Sequence, residues 1–204
     1  MKFLSFIFLL LTISCSQKNQ SSKNQGLKEN EPLENERYGT ELIRNDFLKF
    51  SDQDKVDSLK NEITSSFYIY SEETSKFAHI DAEELAEFNF DFFIPQLNKM
   101  LEKRNVNLVV KTTKDYEKTN DIIINDKKIN LYKSIELENQ TFWDLAPRNF
   151  FRSVNEILKS KNVDEKFYLL YNGNDLSTLL LTDKQFIIIK EYYKNNSKES
   201  PYIP

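Results

Sequence analysis

Two apolar runs on either side of Asn172-Gly173 constrain the fold more than anything else in the chain. Phe167–Tyr171 and Asp175–Leu181 read as strands, and Asn-Gly between such runs is the strongest short-range hairpin signal. Side chains alternate across a strand. Leu169 and Leu176 therefore share one face, and Leu170 and Leu179 share the other. Both faces need cover, so the spacing predicts a hairpin lying centrally in a sheet with material packed on each side. Of the three glycines, Gly26 and Gly39 fall in or beside a polar stretch. That leaves Gly173, at the turn, as the one expected deep inside the fold.

The rest of the chain supplies the cover. Leu42, Ile43, Phe47 and Phe50 predict a helix over 38–50, and Val56, Leu59 and Ile63 predict a second over 51–66 starting at Ser51. Phe67–Tyr70 and Lys76–Ile80 read as short strands. Asp81 followed by Glu84, with Ile80 and Leu85 spaced as a staple, marks a helix start. That helix is expected to run to Arg104 with a bend at Pro95. Val106–Thr112 is a strand by its valines. Asp121–Asn125 and Lys128–Tyr132 form a hairpin, with a two-residue loop at Asp126-Lys127 and with Ile122, Ile124, Ile129 and Leu131 on one face. Phe150, Phe151, Val154, Ile157 and Leu158 give the stripe of a helix over 141–161. Thr182 with Gln185 repeats the capping pattern before a last segment, although Phe186–Ile189 is β-branched enough to suit a strand as well as a helix. Helices interleaved with hairpins predict an α+β fold, with an antiparallel or mixed sheet built from hairpins and helices packed on it. The expected organisation is a single domain over 38–204, with 38–66 as a helical lead-in.

Composition excludes several chemistries. Isolated glycines provide no phosphate-binding loop or dinucleotide fingerprint, and Gly-x-Ser-x-Gly and HExxH are absent. One cysteine and one histidine cannot build a disulfide or a Cys/His zinc centre. A net charge of −4 argues against nucleic acid as a partner. No cofactor or metal is expected. His79 is the one side chain that titrates near neutrality, and it precedes the carboxylates Asp81, Glu83 and Glu84. Asp144, Arg148 and Arg152 recur at helical spacing beside Trp143, a face suited to gripping an anionic partner around an aromatic anchor. Asn172, Asn174 and Asp175 give the hairpin turn a polar tip suited to recognition. Phe88, Phe90, Phe92 and Phe93 cover more than one helical stripe, which places them in the core or along an apolar groove.

The first 15 residues concern address rather than fold. Lys2 followed by the apolar run Phe3–Leu11 has the layout of an export leader and is too short to span a bilayer. Cys15 comes directly after Leu11-Thr12-Ile13-Ser14. This arrangement resembles a bacterial lipoprotein precursor, in which a small residue precedes a cysteine that is lipidated and becomes the mature N-terminus. Ser14 matches the small position, and Thr12 departs from the usual leucine. The resemblance implies a leader over 1–14, a lipid on Cys15 as membrane anchor, and a flexible tether over 15–37 of solvated composition. Ser16 after the cysteine implies the outer membrane, facing the periplasm or the cell surface.

The expected function is a non-catalytic, lipid-anchored envelope protein that binds another protein. In general character the acidic α+β chain resembles immunity proteins of bacterial competition systems, which implies a toxin as partner. A structural or small-ligand-binding lipoprotein is the alternative. A hydrolase using two carboxylates is a further one, and it requires them to converge at about 5–10 Å in a cleft.

Overall fold

The structure, a computed structural model, describes residues 21–204. The expected leader and Cys15 lie outside the described residues. In chain order the elements are α1 (Ser21–Arg44), α2 (Val56–Ser66), β1 (Phe77–His79), α3 (Ala82–Ala86), α4 (Ile94–Glu102), β2 (Val110–Thr112), α5 (Tyr116–Thr119), β3 (Asp121–Ile124), β4 (Lys127–Asn130), α6 (Ser134–Glu138), α7 (Phe142–Ser160), β5 (Lys166–Leu170), β6 (Ser177–Leu181) and α8 (Asp183–Tyr192). The fold is α+β, with the strands in two separate antiparallel sheets ordered β1-β6-β5 and β2-β3-β4.

The first sheet divides the core in two. Leu169, Leu176 and Leu180 face a cluster built from α3, α4, α7 and the buried side of the second sheet, including Ile122 and Ile124. Leu170, Leu179 and Leu181 face a cluster built from α1, α2 and α8, including Leu42, Leu59, Ile63 and Ile189. The face assignment read from the apolar runs is therefore the observed one, and both strands are buried on both sides. The residues left ambiguous at 186–189 are helical. The Thr182 side chain accepts from the Gln185 N–H while Gln185 reaches back to the Thr182 N–H, closing a capping box at the start of α8.

Several expectations are corrected. β6 is central but β5 is an edge strand, because β1 rather than another hairpin strand pairs with β6. The connection after β5 is longer than the three residues left between the expected strands. Leu170 pairs with Ser177, and the connection holds a 3-10 turn over Gly173–Asp175 with left-handed Tyr171 and Gly173. The other hairpin turns at Asn125-Asp126, both at positive φ as a type I′ turn requires, instead of at 126-127. Ile122 then pairs with Ile129, a shift that leaves the apolar residues on their predicted face.

Phe67–Tyr70 is not a strand. Phe67 is the left-handed cap of α2, its N–H bonded to the Ile63 carbonyl and its ring stacked 3.8 Å from Tyr192. Ser51 does not start α2, which begins at Val56, and α1 ends at Arg44 instead of Phe50. The helix expected over 81–104 is broken at Phe88, which is left-handed, and Pro95 sits in the first turn of α4, where its missing N–H costs nothing. Glu84 does not complete a capping box; its carboxylate takes the Asn89 amide instead. β2 occupies only the last three residues of the expected 106–112 strand. The short helices α5 and α6 carried too few periodic residues to be read.

The stretch taken as a tether to residue 37 is also revised. Helix α1 begins at Ser21, and Asn35 is buried, its amide donating to the Ser65 carbonyl at 3.1 Å and its carbonyl accepting from the Tyr192 hydroxyl at 2.6 Å. A polar segment lacks the apolar stripe that reveals a helix, but its end is held here by α2 and α8. Gly39 allows this: a Cβ there would lie 2.5 Å from the Ile63 carbonyl oxygen. Gly39 thus lies deep in the fold, whereas Gly173 is exposed with open space around it.

Candidate functional site

The two groups of predicted binding residues meet on one flank. Asp144, in the first turn of α7, pairs with Arg148 at 2.8 Å. Arg148 also donates to the Ile203 carbonyl, and its guanidinium lies 4.8 Å from the Tyr202 ring centre. The hydrogen bond to Asp144 holds the Arg148 basicity above the ordinary value. One turn on, Arg152 is exposed and donates to Asn149. Trp143 is half-buried against Phe142 at the start of the same helix.

Tyr202 connects this face to the polar turn. Its N–H and carbonyl bond those of Leu169 on the open edge of β5, and its hydroxyl donates to the Tyr171 carbonyl at 2.8 Å. The Asn155 amide takes both backbone groups of Phe167 on the same edge. The edge of β5 is thereby closed from 167 to 171, which blocks pairing with another chain. Asn172, Asn174 and Asp175 stand exposed just beyond. A depression of about 510 Å³ is lined by this turn, Ser197–Ser200 and Tyr202, and another of about 480 Å³ by residues that include Arg152, Asn155 and Ile203. Ile203, whose carbonyl accepts from Arg148, is 65% exposed.

His79 is apart from this flank. It is exposed at the end of β1, with its ring against that of Phe92, itself 50% exposed. The other three phenylalanines of the run turn inward. Phe90 and Phe93 pack on Phe150, and Phe88 meets Tyr116 and Tyr132, so the run forms core rather than a groove.

The strongest electrostatic feature was not legible in the sequence. Lys76, Arg104 and Glu165 are all buried, and Lys76 is only 1% exposed. Glu165 accepts from Lys76 Nζ at one oxygen and from Arg104 Nε at the other, while Arg104 Nη2 reaches the first oxygen at 3.1 Å. Arg104 Nη1 donates to the Met100 carbonyl, and Lys76 also donates to Gln185 Oε1. Burial pushes Lys76 down to about 8, against the pull of Glu165. Burial would raise Glu165, but its bonds to Arg104 and the charge of Lys76 outweigh it and hold the carboxyl below its usual range. The cluster ties β1, the end of α4, the turn before β5 and α8 together. Among 28 basic and 32 acidic residues, nothing in the spacing singled out these three.

Among the described residues, no three His, Cys, Asp or Glu side chains gather where a metal could be held, and no helix is long and apolar enough to cross a membrane. Comparison with protein-family models, with curated proteins and with solved structures finds no match to this chain.

Proposed function

We propose that this chain is a non-catalytic binding protein of the bacterial cell envelope, anchored through a lipid on Cys15 and facing the periplasm or the cell surface from the outer membrane. Its partner is another protein, and in the sharpest form of the reading that partner is a toxin neutralised by the complex. The observation that carries it is the continuous flank on which Tyr202 joins the Arg148 and Arg152 face of α7 to the turn at 172–175. Arginine beside an exposed apolar residue, here Ile203, is the composition of an interface centre with a polar rim.

Three of the carboxylates singled out in the sequence, Asp81, Glu84 and Asp144, are engaged in contacts that hold the fold, which supports a non-catalytic role. Asp81 accepts from the N–H groups of Glu83 and Glu84, Glu84 holds Asn89, and Asp144 holds Arg148.

Affinity purification of the full chain from detergent-solubilised envelopes, followed by reconstitution with the purified partner, tests the reading. A complex stable at micromolar concentration is expected, weakened by Ile203→Asp and by Arg152→Glu. Failure to form any such complex, or turnover of an envelope polymer by the purified protein, overturns it. Labelling with a palmitate analogue tests the anchor separately, with Cys15→Ser expected to abolish incorporation.

A further inference from the structure

The buried charge cluster has a cavity beside it, and the two together define a second site that requires no protein partner. The cavity measures about 430 Å³, within the range of small-molecule pockets. Arg104, Glu165 and Gln185 form its buried floor. Its rim carries both signs, exposed Lys49 and half-buried Lys103 alongside exposed Asp46 and Asp164. Asn45, Asn105, Asn162 and Thr182 add polar groups, and Phe50, whose ring lies 3.9 Å from the Arg104 guanidinium, and Val163 supply apolar walls.

The sign of the site is set by the floor. Two cations, Lys76 and Arg104, share the single carboxylate of Glu165, which leaves one positive charge in excess away from water. At neutral pH a lysine titrating near 8 still carries its proton, so the excess persists. A buried charge without a counter-charge is costly, and an anion brought into the adjoining space would be attracted more strongly there than in water. Donors also remain. Arg104 uses one hydrogen on each terminal nitrogen, for Met100 and Glu165, and each nitrogen has a second. At the rim, Lys49 forms no ion pair among the described residues, whereas Lys103 is held by Asp52 and the Phe50 carbonyl. We propose that this cavity binds a small oxyanion, a carboxylate or phosphate group, held on its floor by Arg104 and at its rim by Lys49, with the asparagine amides as further donors.

Amide spectra of the isotopically labelled full chain in detergent, titrated with sodium phosphate, sodium acetate and ionic-strength-matched sodium chloride, test this. Saturable shifts at Asn105, Asn162 and Gln185 are expected with phosphate, acetate or both, and none with chloride. A response to phosphate alone assigns a phosphorylated ligand, and a response to acetate alone assigns a carboxylic acid. Exposed Lys49→Gln should weaken binding roughly tenfold at unchanged melting temperature, the loss of one charge-assisted contact. Lys76→Met, which cancels the excess charge, should abolish binding, and its melting curve establishes that it is folded. No saturable shift with either anion, an equal response to chloride, or unchanged binding in Lys49→Gln overturns the proposal.

Discussion

Glu165 is the residue on which most of the interior electrostatics depends. It neutralises one of two buried cations and is bonded by both. Because its folded-state carboxyl titrates below the usual range, the stability it contributes is present above that range and lost as pH falls through it. Urea unfolding should therefore show a falling midpoint below about pH 4.5. Glu165→Gln should flatten that dependence while destabilising the protein by about 3–5 kcal/mol at neutral pH, since two cations are left buried together. Gly39 is decisive for a steric reason. Gly39→Ala would drive a methyl into the Ile63 carbonyl of α2, and about 1–3 kcal/mol of destabilisation is expected in the same measurement. Gly173→Ala meets no neighbour, but its φ of +57° makes any side chain strained.

Elements that announce themselves by periodicity match the sequence closely. α7 differs from its expected span by one residue at each end, α8 starts at its capping box, and the hairpin of β3 and β4 keeps its apolar face despite a moved turn. Elements that end by backbone geometry do not match. Phe67 and Phe88 adopt left-handed conformations that few non-glycine residues take. Their rings are held by Tyr192 in the one case and by Tyr116 and Tyr132 in the other, partners distant in the chain. The closed edge of β5 is likewise a product of distant residues. Asn155→Ala leaves the N–H and carbonyl of Phe167 unpaired, so about 1–3 kcal/mol of stability should be lost. Analytical ultracentrifugation should then show self-association rising with concentration as the edge opens.

At the scale of the whole molecule, a tyrosine network fastens the segment after α8 to the first sheet. The Tyr70 hydroxyl lies 2.9 Å from that of Tyr193 and 3.1 Å from Glu199, which also accepts from Tyr171. Burial raises Tyr70, Tyr171 and Tyr193, the last to about 12. A phenol raised on folding contributes stability that is present below its unfolded value near 10 and lost as pH rises through the folded one. Phenolate absorbance should lag behind that of the unfolded chain above pH 10, and unfolding should begin in that window; Tyr70→Phe should narrow the lag.

The sequence by itself determined the α+β class, the two-sided burial of β5 and β6, and the caps at Asp81 and Thr182, because periodicity, capping and turn chemistry act over a few residues. Only the tertiary structure decided that the polar stretch before Tyr38 is helical, that the strands split into two sheets, that Tyr202 unites two separate surface groups, and that Lys76, Arg104 and Glu165 meet in the interior. Each of these rests on contacts between residues far apart in the chain, and neither composition nor spacing records which distant charge or ring will supply the partner.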